Sequence, residues 1–139
     1  MSLADLRGAI SDALATVTNL RAVTYVPDQV NPPPGGGFAV VEFGDIAYDL
    51  DFTGGSTIPL NVTVFAQRSS ERASQIFLDT LRDPQDDASV KTVIETDDAC
   101  RAAAAPGYLY VASCQRPVEI TVGDVVYLAI EFTGSIIYW

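Results

Sequence analysis

The sequence predicts an α+β domain: a mainly antiparallel (mixed) β-sheet with helices packed on one face. Three observations lead there. Segments with a two-residue apolar period outnumber those with a helical period. Several follow one another across short turn signals, which is the pattern of hairpins rather than of βαβ units. The helical segments stand apart, at the start and in the middle, so they segregate to one side of the sheet. With 139 residues and no internal repeat, the chain suits a single domain, 1–139.

Ser2 opens a helix with Asp5 in the capping-box position, and Leu3, Leu6, Ile10, Leu14 and Val17 recur at helical spacing. Asn19 stops it. Arg21 to Val26 reads as a short strand ended by Pro27. The stretch "VNPPPGGGFAVVEF" then sets three prolines and three glycines in front of a strand from Phe38 to Phe43. Gly44-Asp45 is a turn or bulge, and Ile46 to Phe52 is a further strand with Ile46, Tyr48 and Leu50 on one face and Asp45, Asp49 and Asp51 on the other. After a turn at residues 53–56, Ile58, Leu60, Val62 and Val64 alternate with polar residues in a clear strand.

Ser69 or Ser70 caps a second helix with a predicted buried stripe of Ala73, Ile76, Phe77 and Leu81, stopped by Pro84. A shorter helix starts at Asp87 and carries Val90, Val93 and Ile94. "RAAAAPG" reads as the lead into a strand at Tyr108 to Cys114. Val118 to Val122 and Val125 to Phe132 pair around Gly123-Asp124, a two-residue hairpin signal. Gly134 is expected to interrupt the last strand, which continues apolar to Trp139.

The formal net charge of −10 repels phosphate backbones and anionic lipid, so neither nucleic-acid wrapping nor membrane binding is expected. Histidine is absent, which removes the commonest general base and metal ligand. Cys100 and Cys114 make no zinc pattern or disulfide framework and read as reduced thiols of a cytoplasmic chain, Cys114 as a small buried hydrophobe rather than a nucleophile. No leader or membrane span is expected, and the Asn61-Val62-Thr63 sequon reads as chance. Hydrophobic residues reach 48% and charged residues only 19%, which predicts apolar surface covered by a partner.

The glycine run lacks the lysine and the following helix of a phosphate loop, and reads instead as an exposed loop or as one that docks on another subunit. Asp45, Asp49 and Asp51 lie along an extended line, unlike a calcium loop, and the two "DD" pairs read as helix caps or flanks. Glu42, Glu119 and Glu131 would serve carboxylate catalysis only if they converged in a cleft. Aromatic residues crowd the last third, and "SIIYW" at the end predicts a terminus locked into the sheet or against a neighbouring chain.

The opening helix, "YVPDQVNPPPGGGFAVVEF", "IAYDLDF", "IPLNVTVFAQRSSERASQIFLDTLRD", "ASVKTVIETD" and "VYLAIEFTGSIIYW" together resemble the small tail-terminator proteins of long-tailed actinobacteriophages. The resemblance runs in order through nearly the whole chain, most specifically where "IPLNVTVFAQ" leads through "RSSERASQ" into "IFLDTL". It implies a structural virion protein with no catalytic residues and no cofactor. Such a protein forms a sixfold ring on the finished tail tube, stops its growth and offers the surface on which the head docks. The implied partners are further copies of the chain, the tail-tube protein and the head-completion or neck protein. The implied location is the head-proximal end of the virion tail, after assembly in the host cytoplasm.

On that reading Asn31, Pro32, Pro33, Pro34, Phe38, Tyr138 and Trp139 are expected at contacts between subunits. The Asp45, Asp49, Asp51 face or the "DD" segments are expected to line a channel through which DNA passes without binding. A neck connector and the tail-tube protein are the nearest rivals. A carboxylate-dependent enzyme or a small-ligand-binding domain are rivals from other classes, and a deep apolar cavity with convergent polar groups would favour them.

Overall fold

A computed structural model of the chain describes residues 2–24, 31–33, 35–48, 55–67 and 71–138, with Glu71 and Tyr138 given by their backbone alone. The elements run α1 (Leu3–Ala15), β1 (Leu20–Val23), β2 (Gly37–Phe43), β3 (Ser56–Gln67), α2 (Glu71–Arg82), α3 (Val90–Thr96), α4 (Asp98–Ala104), β4 (Tyr108–Cys114), β5 (Val118–Val122) and β6 (Val125–Tyr138). The fold class is the expected one. A mixed, mostly antiparallel six-stranded sheet has the order β1-β2-β3-β6-β4, with β5 also on β6.

The spine of the sheet is the antiparallel pair β3–β6, in register from Ser56↔Tyr138 to Gln67↔Tyr127. Alternation along β3 turns Ile58, Leu60, Val62, Val64 and Ala66 to the helices, and along β6 it turns Leu128, Ile130, Phe132 and Ile136 the same way. Leu6, Ile10 and Leu14 of α1, Leu78 and Leu81 of α2, Val90 and Ile94 of α3 and Cys100 of α4 close the same core. All four helices therefore lie on one face. Pro59 fits this central strand because its carbonyl, and so its missing N–H, points past the end of β2, where Gly44 N–H donates to Pro59 O at 2.8 Å.

β1 pairs parallel to β2, Leu20↔Gly37 to Val23↔Val40. Parallel neighbours cannot be joined by a tight hairpin, so the chain must travel back between them, and residues 24–36 make that return. The proline–glycine stretch is thus the end of a crossover connection. Its described residues are tied to their own chain: Arg21 Nη1 donates to Asn31 O at 3.2 Å and Gln67 Nε2 to Pro32 O at 2.7 Å. Gly37 N–H donates to Asn19 O at 2.9 Å. Any Cβ on Gly36 would overlap that same Asn19 carbonyl, which is why no larger residue fits.

Several expectations need correction. Residues 44–48 form no ladder strand: Ala47 makes one isolated bridge to Thr57, and Tyr48 is 68% exposed while Ile46 packs on the core. The rest of that expected strand, with Asp49 and Asp51, lies outside the described residues, as do Pro34, Ser69, Ser70 and Trp139. "RAAAA" belongs to a helix, α4, whose N-cap Asp97 accepts from Cys100 N–H at 2.8 Å. The Asp86-Asp87 pair precedes α3, which starts at Val90 rather than Asp87. Gly134 does not interrupt β6, which runs on to Tyr138.

Candidate functional site

The irregularity expected in β6 sits in its neighbour. β4 pairs with β6 from Tyr108↔Ile137 to Cys114↔Phe132, with a register shift between Val111 and Ser113. Gly134 is small because β4 presses on it there, and a Cβ at this position would overlap Tyr110 O. Ala112, at the bulge, is exposed, and because β4 ends the strand order its outer edge has no strand partner at Val111 among the described residues. α3 supplies that partner. Lys91 Nζ donates to Val111 O at 2.9 Å, Val111 N–H donates to Glu95 Oε2 at 3.2 Å, and Lys91 also donates to Glu95. An ion pair one helical turn long therefore satisfies both backbone groups of an edge residue.

Beside this clamp lies a cavity of about 420 Å³. Val111, Ala112, Phe132 and Pro84 give its lining an apolar part. Arg82, from the last turn of α2, and Lys91 supply positive charge, while Asp79 and Asp83 stand at the same opening. Ser89 and Ser113 add hydroxyls. Arg82 Nη1 reaches Asp79 Oδ1 at 3.5 Å and the guanidinium interacts with the Cys114 side chain, while Nε is buried with no hydrogen-bond partner among the described residues.

Cys114 also lines the cavity, so the expectation of a fully buried thiol is corrected to a half-exposed one. Desolvation raises its pKa, while the neighbouring Arg82 guanidinium acts in the opposite direction. Cys100 is fully buried, and burial, with Asp97 adding to it, pushes its pKa up to about 12. Both thiols stay protonated at neutral pH and are poor nucleophiles there.

The other residues expected to act fall elsewhere. Asn31 is exposed and Pro33 half-buried, but Pro32 is buried against its own chain. Phe38, 7% exposed, belongs to a small second cluster with Val40 and Tyr127 on the face of the sheet opposite α1–α4. Val23, Phe65 and Val122 pack around it, and the Phe65 and Tyr127 rings meet edge-on with centroids 6.2 Å apart. The backbone of Tyr138 is locked into β6 opposite Ser56. Asp45 is exposed just beyond β2.

The three strand carboxylates do not converge. Glu119 stands opposite Leu128, on the helix side of the sheet, whereas Glu131 stands opposite Thr63 and Glu42 opposite Asn61, on the far side. The cavity itself has no local signature in the sequence. Its cations are separated from Cys114 along the chain, and an "ASC" run inside a strand does not announce a bulge.

No family model matches the sequence, and no curated protein is similar to it.

Proposed function

We propose that this chain is a structural ring subunit of the tail-terminator kind, which caps a phage tail tube, stops its growth and presents a docking surface to the head. The observation that supports this reading best is apolar surface at the β5–β6 hairpin, where Val125 and Val126 are 51% and 39% exposed. Tyr108 is 61% exposed and stacks on Tyr110 with ring centroids 5.9 Å apart. A subunit that meets copies of itself on two different surfaces needs apolar side chains of this sort outside its own core.

The net charge of −10 supports the same reading, because a channel wall rich in carboxylates lets DNA slide without holding it. Among the described residues, β1 and β5 also have unpaired outer edges on opposite sides of the sheet. Two unlike edges suit a head-to-tail contact that closes into a ring.

The test is to purify the protein, measure its mass in solution, image it by electron microscopy, and add it to growing tail tubes. A tail terminator forms annular particles and arrests tube growth at one end. A tube protein lengthens the tubes, and a neck protein leaves their growth unchanged. A monomer at every concentration that leaves tube ends untouched ends the proposal.

A further inference from the structure

We propose that the cavity between α2, α3 and β4 binds a small organic monocarboxylate, its carboxylate on Arg82 and its apolar body against Val111, Ala112 and Phe132. Arg82 provides the first ground: Nη1 makes one 3.5 Å contact with an exposed Asp79, the guanidinium also interacts with the Cys114 side chain, and Nε is buried without a partner among the described residues. A guanidinium nitrogen shielded from water and left unpaired is unfavourable. The planar fork of arginine is satisfied best by two oxygens of one carboxylate.

The walls define the rest of the ligand. Val111, Ala112 and Phe132 would bury a hydrocarbon body, and about 420 Å³ falls near the lower end of small-molecule sites, so that body is short. Lys91 adds positive charge, although its ammonium is already engaged with Glu95 and Val111 O. Asp79 and Asp83 at the opening repel a dianion such as phosphate more strongly than a monocarboxylate. The larger groove of about 480 Å³ between α1 and α4 is lined by small residues and by Asp5, Asp12 and Asp97, and nothing in it would hold an anion.

Hexanoate, hexanol and inorganic phosphate are suitable probes, each titrated into isotope-labelled protein. The readouts are the amide signals of residues 111–114 and the Arg82 Nε–H signal. Hexanoate should shift both sets saturably and bind more tightly than either hexanol or phosphate. Arg82→Gln should weaken hexanoate binding roughly tenfold or more. Arg82→Lys, which keeps the charge and loses the fork, should also bind more weakly than the parent. Arg116→Gln, at an exposed residue that does not line the cavity, should change nothing. The amide spectrum of each variant reports whether it is folded. No saturable shift with hexanoate, equal affinity for hexanol, tighter binding of phosphate, or unchanged affinity in folded Arg82→Gln or Arg82→Lys would each overturn the proposal.

Discussion

Cys100 and Cys114 carry the same thiol and meet different surroundings. Cys100 is enclosed by the core and lies beside Asp97, whereas Cys114 opens onto a cavity beside Arg82. A thiol reagent followed by mass spectrometry should therefore label Cys114 first in the native protein and reach Cys100 only on unfolding. Cys100 also makes stability depend on pH. Its folded pKa of about 12 lies above the ordinary 9.0, so the folded state holds the proton more tightly than the unfolded state. That contribution is fully present below pH 9.0 and is lost as pH rises toward about 12. The slope from this group reaches at most ~1.4 kcal/mol per pH unit. Denaturant unfolding across that window should show a shallower alkaline loss in Cys100→Ala than in the parent, and parallel curves would refute the assignment.

At the scale of elements, α2 shows how a correct helix can be given the wrong face. Its sequence places Ala73, Ile76, Phe77 and Leu81 within one plausible stripe, yet Ala73 is exposed and Ile76 is 59% exposed. The face that docks carries Ser74, Leu78 and Leu81, with Phe77 half-buried at its border. Ser74 is inside because its hydroxyl donates to Gln67 O at 2.8 Å, ending β3 and seating the helix together. A polar residue on the buried face is invisible to an apolar-stripe argument. Leu78→Ala should cost about 2–5 kcal/mol, whereas Ile76→Ser should stay within about 0.5 kcal/mol, both read from denaturant unfolding. The β4–β6 pair makes a similar point, since the constraint on Gly134 comes from the neighbouring strand. Gly134→Ala should cost about 3 kcal/mol or more, because its methyl meets backbone rather than a movable side chain. A loss below about 1 kcal/mol would show that β4 yields easily.

For the whole molecule, the decisive arrangement is one sheet with helices on a single side. The helix side holds the larger core, and among the described residues the other side holds the buried Phe38, Val40, Tyr127 cluster with Val23, Phe65 and Val122 packed on it, and polar residues such as Thr63 and Thr133 on the same face. If copies of the chain meet through the β5–β6 hairpin, the pair Val125→Glu and Val126→Glu should abolish the annular particles. Each subunit should remain folded to within about 0.5 kcal/mol, because neither side chain belongs to the core. Light scattering and circular dichroism separate the two effects. Rings that persist in the double variant would move the contact elsewhere on the molecule.

The sequence alone determined the fold class, α1 with its cap, the strand at Tyr108–Cys114 and the hairpin around Gly123-Asp124, where Gly123 takes a φ of 63°. These features depend on neighbours within a few residues, so their physical cause is present in the local pattern. Only tertiary structure decided that residues 24–36 return the chain for parallel pairing, that α2 turns Ser74 inward, and that a bulge in β4 opens a cavity beside Arg82. Each of these depends on a hydrogen-bond or packing partner distant in sequence. Gly36 answers to the carbonyl of Asn19, Gly134 to that of Tyr110, and Val111 to Lys91 and Glu95. A residue's own chemistry sets what it can satisfy, and the fold sets which group it has to satisfy.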